Sequence, residues 1–376
     1  MDKRNKLKRA GIIMLSCSAV PMLISGGYGY VPNFSDRIVY SAARELSWDP
    51  ELDAKSASAP IRNIKVSTGA ADLMAAPEEI EVHRPEGIEI PTPLPSQQVL
   101  DAIPYPDDLT DHDGRIENTN FGSYTGEQYF DLRDGGQVRN CTWHTNEELL
   151  EASTKGRVFD IETGTDEPQI LIYHTHTTEC FELEDKDWYD SDFGAKTTEA
   201  DKNITAVGNE ICKQLEASGI SVIHDTLVHD YPSYDAAYDS SRETVSELLE
   251  QYPSIRIALD IHRDGIETAE GVRLAPAVEI NGKDAAQIMI ISGCDDGTFG
   301  MPDYMNNFRF ACELQSRTET MFEGLTRPIL FDYRFYNQDL TDGSLLIEVG
   351  SHGNTLDQAK YSGELIGKAL AALLCE

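Results

Sequence analysis

Two histidines, His174 and His176, close a short apolar run, Gln169-Ile170-Leu171-Ile172-Tyr173, and Glu179 follows at once. The run reads as a buried strand, entered through Pro168 and the acidic turn Thr165-Asp166-Glu167. Such a strand delivers imidazoles to the carboxyl edge of a sheet, where α/β proteins build their sites. A second expected strand, Ile255 to Ile261, runs into His262, and a third, Ser344 to Gly350, carries Glu348 near its end. Side chains far apart in sequence meet when their strands finish at one edge. Imidazole and carboxylate are the usual ligands of a catalytic zinc, three from the protein with the fourth position left for water. A further carboxylate must then carry the proton to the leaving group.

The residues leave the third ligand open. Glu199 stands just before the first expected helix, where it could reach back over the strand ends. Glu179 and Asp201 are its rivals, Glu179 at the cost of a tight local loop. Asp260 or Asp264 could orient His262 from behind. Each feature also has a plain structural reading: a lone strand-end histidine is more often a core or surface residue, and Asp260, Arg263 and Asp264 could be a salt-bridged loop. His224 and His229 read as ordinary loop histidines. No Gly-rich phosphate loop and no GxSxG elbow occurs, which excludes those routes to nucleotide binding and to a serine triad.

The elements that must position these groups alternate from residue 168 onward. Helices are expected over Asp201–Ser218, closed by Gly219, over Tyr238–Gln251, closed by Pro253, over Asn306–Glu323 and over Thr355–Leu374. Strands are expected at Ile220–His224, Gln287–Ile291 and Pro328–Leu330, besides the three that carry the site. Strand and helix in alternation predict an α/β fold, a mostly parallel central sheet flanked by helices. Residues 116–167 read as a small N-terminal elaboration packed on a main domain of residues 168–376.

Composition narrows the partners. The 376 residues hold 31 Lys and Arg against 65 Asp and Glu, a formal net charge of −34, which argues against nucleic acid and anionic lipid as ligands. The seven cysteines form no CxxC pair and no disulfide framework. At the N-terminus, Lys3, Arg4, Lys6, Lys8 and Arg9 precede a nearly all-apolar run from Ala10 to Ser25. Residues 1–30 therefore read as an uncleaved signal anchor with the rest of the chain on the far side of the membrane. Residues 31–115, acidic and rich in proline between Pro77 and Pro95, read as an extended, disordered stalk.

Several motifs in order resemble the stage II sporulation protein P family: His174-Thr175-His176-Thr177-Thr178-Glu179, Asn203 with Val207-Gly208, His229-Asp230-Tyr231-Pro232-Ser233-Tyr234, Asp260-Ile261-His262-Arg263-Asp264, Tyr336-Asn337-Gln338 and Leu346-Ile347-Glu348-Val349-Gly350. The likeness covers residues 168 to 376. That family is similar to the zinc-dependent N-acetylmuramoyl-L-alanine amidases, whose fold is of the phosphorylase/hydrolase-like kind. The resemblance implies Zn2+ held by His176, Glu199 and His262, with His174 and Glu179 as fallbacks, and Glu348 as the catalytic carboxylate. It places Arg263 and Asn337, with Asp260 and Asp264, at the substrate or behind the ligands. It implies cleavage of the amide between N-acetylmuramic acid and L-alanine in peptidoglycan during forespore engulfment, with some endopeptidase action on cross-links. It also implies a membrane-bound protein, between mother-cell and forespore membranes, working with the stage II sporulation protein D transglycosylase and a membrane protein M. The competing expectation is a catalytically silent wall-binding scaffold that activates a partner hydrolase. Cys180 departs from the family, which usually has Ser there, and puts a thiol next to the expected metal.

Overall fold

The structure is a computed structural model that describes residues 102–375. Chain order runs β1 (Gly114–Thr119), β2 (Tyr129–Asp131), β3 (Gln137–Asn140), α1 (Asn146–Ser153), β4 (Ile170–Tyr173), β5 (Trp188–Tyr189), α2 (Thr205–Ala217), β6 (Val222–His224), α3 (Ala237–Gln251), β7 (Ile257–Asp264), β8 (Val272–Ile280), β9 (Lys283–Ala286), β10 (Ile288–Gly293), α4 (Tyr304–Met321), β11 (Ile329–Asp332), β12 (Gly343–Ser351) and α5 (Leu356–Leu374). Eight strands form the main sheet in the order β2-β3-β11-β10-β12-β7-β4-β6, and four form a smaller one in the order β5-β1-β8-β9.

The α/β class holds, but the expected mostly parallel sheet is corrected: the sheets are mixed. β12, β7, β4 and β6 run parallel to one another. β10 lies antiparallel to β12, and β11 and β3 follow β10's direction. β2 reverses again on β3, and the smaller sheet has antiparallel pairs at β1/β5 and β8/β9. The cause is the β8–β9 hairpin. Asn281 and Gly282 both take positive φ, 52° and 78°, the geometry of a two-residue hairpin turn. The chain therefore comes back on itself and feeds β10 into the main sheet against β12. A reading by helix–strand alternation passes over this Asn-Gly signal and misses β8 and β9 altogether.

Alternation along the strands sorts side chains to two faces. Ile170 and Ile172 of β4, Leu259 and Ile261 of β7, Ile290 of β10, Phe331 of β11, and Leu345 and Ile347 of β12 join the main core with residues of α1, α2, α4 and α5. α2 and α5 approach unusually closely. A Cβ on Gly363 or Gly367 would stand 2.7 Å from Val207 O or from the Gln214 Cβ, so only glycine permits this contact. On the other face, α3 sets Val245 and Leu248 against Leu171, Tyr173, Ile223 and Ala258, and so covers β4, β6 and β7. Beyond α3, the same face carries Ile291, Leu346 and Tyr336, with Met289 and Leu330 only partly buried. That strip of sheet is the floor of the cavity described below.

The expected signal anchor, and the stalk as far as residue 101, lie outside the described residues. Among the described residues no helix is long and apolar enough to cross a membrane. α5 is long enough, but Asp357, Lys360, Glu364 and Lys368 divide it; α4 is broken likewise by Arg309, Glu313, Arg317 and Glu319. No helix among the described residues supports the expected membrane anchor or the membrane location that rested on it. The segment from Ile103 to Asp113 packs on the domain: Tyr105 N–H donates to Glu199 Oε1 at 2.9 Å, and the amides of Thr110 and Asp111 donate to Asp190 Oδ2 at 3.1 Å.

Candidate metal centre and cavity

His176, Glu179 and His262 bring one ligand atom each to within 4.8 Å of the others. His176 Nδ1 is 3.5 Å from Glu179 Oε1, and His262 Nδ1 is 3.7 Å from Glu179 Oε2. The loop that the sequence makes look costly is built by local threonine chemistry. After β4 the chain turns within His174–Glu179, and Glu179 N–H donates to His176 O at 3.1 Å. Thr177 Oγ1 donates to His174 O at 2.7 Å, and Thr178 Oγ1 donates to the buried Asp230 at 2.6 Å. Short hydroxyl side chains that bond neighbouring backbone make such a turn inexpensive.

Each ligand candidate is held from behind. Asp260 Oδ1 lies 2.8 Å from His262 Nε2, which leaves Nδ1 facing Glu179. The contact is an ion pair more than a straight hydrogen bond, since Nε2 has no in-line acceptor. Asp260 is fixed in turn by Thr175, whose N–H and Oγ1 donate to it at 2.8 and 2.6 Å. Arg263 N–H donates to Glu179 Oε2 at 3.0 Å. Tyr234 stacks on His176 at 4.4 Å between ring centroids. These are the contacts that orient metal ligands and set their tautomers.

Burial and charge act in opposite directions here. Burial works against the His262 charge, yet Asp260, Glu179 and Glu348 outweigh it and raise its pKa to about 10. Glu179 is lowered despite burial, by His176, His262 and Arg263. Glu348 goes the other way: burial, then the neighbouring Asp264 carboxylate, pushes it well above the usual carboxylate range. Glu348 sits beside His262 across the β7/β12 ladder, and its Oε2 has no hydrogen-bond partner among the described residues. The set therefore contains three close nitrogen and oxygen donors, each held by a further group, and a buried carboxylate whose proton affinity is raised. Two imidazoles and one carboxylate suit a divalent ion of the zinc type.

The remaining expected site residues fall elsewhere. Glu199 does not join the cluster: it pairs with Lys202 and accepts from Tyr105 N–H at 2.9 Å, on the outside of a turn that precedes α2. The expected helix start at Asp201 is where it was to be aimed inward, but α2 begins only at Thr205, whose N–H bonds the Asn203 side chain. His174 is buried away from the cluster, Nδ1 2.9 Å from Ile261 O and Nε2 2.8 Å from His224 Nε2. The carbonyl makes Nδ1 the donor, so His224 Nε2–H donates to His174 Nε2. Asp264 binds Arg327 through two contacts of 3.0 Å. The Arg263 guanidinium is spent on the carbonyls of Cys180, Ala195 and Asp264. Asn337 is buried against α3, donating to Tyr238 O at 3.0 Å and accepting from Arg242. Cys180 is not beside the ligands but packs with Tyr105 and Ala195, its thiol pushed up to about 12 by burial.

The cluster opens into a cavity of about 300 Å³. Its floor is a row across neighbouring strands: Leu346, Ile291, Leu330, Arg139 and Tyr129 are direct register partners from β12 to β2. Tyr238, Tyr336 and Arg334 wall it. Phe121 forms a rim, its N–H and C=O clamped by the Gln287 side chain at 2.7 and 2.9 Å. Apart from Tyr336 and Leu346, which fall in motifs quoted above, these cavity residues do not stand out in the sequence, since each strand contributes one or two and no spacing joins them.

The family model for stage II sporulation protein P matches residues 116–371. The chain belongs to the stage II sporulation protein P family. Among curated relatives, the stage II sporulation protein P of Bacillus subtilis (strain 168) is 30% identical over 208 residues, which cover 52% of this chain and 49% of that protein. The chain thus spans about half the length of the curated relative it matches. Solved structures with a similar trace include the N-acetylmuramoyl-L-alanine amidase AmiC2 of Nostoc punctiforme, at 12% identity and a TM-score of 0.34 over 56% of this chain and 97% of that one. Another is the CwlD amidase from Clostridioides difficile in complex with the GerS lipoprotein, at 12% identity and 0.35 over 55% and 94%. At scores this low neither bears on the chemistry. Neither these relatives nor the family description names stage II sporulation protein D or protein M, so the expected partnership has no support from them.

Proposed function

We propose that this stage II sporulation protein P family member is a zinc-dependent peptidoglycan hydrolase that cleaves the amide between N-acetylmuramic acid and L-alanine during sporulation. The observation that carries the reading is the meeting of His176, Glu179 and His262 beside Glu348 at the head of an open cavity. A zinc ion held by those three residues supplies Lewis-acid chemistry for amide hydrolysis. Asp260 and Arg263 keep His262 and Glu179 turned toward that position. Glu348 is the group that takes a proton from the attacking water and returns it to the departing alanine nitrogen. The floor of Leu346, Ile291 and Leu330 receives the peptide side of the substrate and keeps bulk water from it.

The test is digestion of purified peptidoglycan by the full chain with zinc supplied, followed by mass analysis. Expected products are free peptides with new alanine amino termini and glycan strands without stems. A digest that releases only shortened peptides would make the enzyme a peptidase instead. No products from the unaltered chain, with zinc bound at one per chain, would end the hydrolase reading.

A further inference from the structure

Glu179 is not the only oxygen drawn up to Nδ1 of His176. Tyr234 Oη stands 3.4 Å from that nitrogen, and Glu179 Oε1 stands 3.5 Å from it. With 3.7 Å between His262 Nδ1 and Glu179 Oε2, three pairs of donor atoms share nearly one spacing. It is long for hydrogen bonds, whose heavy atoms stand about 2.7–3.2 Å apart. Asp260, which orients His262 from behind, makes the contrast at 2.8 Å. The longer spacing is close to the edge of a coordination tetrahedron, since atoms about 2.0–2.1 Å from zinc stand about 3.3–3.4 Å from one another. Groups that only bonded each other would draw closer; groups that share an ion are held at this distance.

The phenol is brought here by a residue that also builds the Glu179 loop. Asp230 accepts from Thr178 N–H at 3.0 Å and from Thr178 Oγ1 at 2.6 Å, and it anchors the start of the segment that carries Tyr234. Tyr234 O accepts from Ala237 N–H at 3.1 Å, where α3 begins. The Tyr234 ring is 20° from parallel with His176, and Lys196 Nζ is 4.0 Å from its centroid. Exposure sets Tyr234 apart from the other groups. His262 is 3% exposed and Glu179 9%, whereas Tyr234 is 49% exposed and residues 232–236 all face solvent. Glu179 and His262 approach from the core; Tyr234 approaches from the cavity mouth and can withdraw without unpacking the core.

Resting on the reading of His176, Glu179 and His262 as zinc ligands, we infer that Tyr234 is a fourth protein ligand, which fills the remaining position of the resting site and yields it to the substrate. Tyr234 releases its phenol proton to solvent when it binds the ion and takes a proton back when it withdraws. The side chain thereby keeps the site closed until an acyl group enters the cavity.

The experiment reads the surroundings of the metal rather than turnover. The full chain, freed of metal by a chelator, is loaded with copper(II), whose bond to a phenolate oxygen gives a visible charge-transfer band. The band is expected in the unaltered chain and should be lost in Tyr234→Phe, with copper bound in both. Zinc binding should weaken about tenfold or more in Tyr234→Phe, read by competition with a chelator. Acetohydroxamate, which binds metals through two oxygens, should abolish the band and leave the copper in place. No band in the unaltered chain with copper bound overturns the inference and needs no variant. A band, or a zinc affinity, that survives Tyr234→Phe unchanged overturns it too. A band that survives saturation with the hydroxamate overturns the displacement. A chain that cleaves peptidoglycan but shows no band loses only the tyrosine; a chain that shows the band but cleaves nothing loses only the hydrolase reading.

Discussion

The two halves of the main sheet are built alike and do different work. In the parallel half, β12-β7-β4-β6, chemistry collects at the carboxyl ends of strands, where His176, His262 and Glu348 come together. In the half beyond it, β10-β11-β3-β2, the useful side chains sit in the middle of strands and point off one face. The first half concentrates reactive groups at strand ends, His262 and Glu348 near the ends of their strands and His176 and Glu179 in the loop after β4. The second lays out a surface, one residue per strand, on which something long can lie. The antiparallel seam between β10 and β12 is what places the surface next to the chemistry: Met289 of β10 is the register partner of Glu348.

Experiments can break this division, beginning with the largest effect. Glu348→Gln should lower the rate of amide cleavage by about 10²–10⁴-fold with bound zinc retained, as turnover and elemental analysis on one sample would show. If zinc were lost as well, Glu348 would belong to the ligand set rather than to proton transfer. Asp260→Asn should weaken zinc binding by about 10–100-fold, read by competition with a chelator, because His262 loses the carboxylate behind it. On the other half, Met289→Ala should raise KM by up to about tenfold and lower kcat much less, the signature of lost uniform binding. An equal loss in kcat would mean that the floor and the chemical site are not separable.

Two smaller effects probe how the parallel half holds together. A Cβ on Gly208 of α2 would come within 2.5 Å of His224 Nε2 and 2.7 Å of His174 Nε2. Gly208→Ala should cost roughly 1–3 kcal/mol by overpacking, measured by denaturant unfolding. The same histidine pair predicts a pH dependence. Burial lowers His174 from 6.5 to about 4, and burial together with His174 lowers His224. Both are neutral in the fold and take up protons on unfolding. Their contribution is therefore complete above about 6.5 and is lost as the pH falls toward 4. His224→Gln should flatten the stability profile across that window; an unchanged slope would show that the pair does not titrate there.

How far the site could be read from sequence depended on which kind of feature carried it. His176, His262 and Glu348 announce themselves because each follows or ends a continuous apolar strand, and strand ends are where loops bring chemistry. Glu199 was the natural third partner on the assumption that the helix begins at Asp201. It begins at Thr205, and the turn in between faces Glu199 outward to Lys202. In the sequence Glu179 carries the cost of a tight loop, yet three threonines and Asp230 make that loop with ordinary hydrogen bonds. Asp260 could be named from its place two residues before His262, because one strand face holds both.

What the chain determined by itself was local: the apolar strands, the helices with their amphipathic spacing, and the residues stranded at strand ends, since all depend on neighbours within a few positions. What only the tertiary structure decided was relational. The Asn281-Gly282 turn is two residues long, but its effect is to reverse β10 and turn an expected parallel sheet into a mixed one. The choice of Glu179 over Glu199, and the floor that joins Leu346, Ile291, Leu330, Arg139 and Tyr129, arise from strand register and loop packing. Register is set by which faces must be buried together, and that is a property of the whole folded sheet rather than of any segment in it.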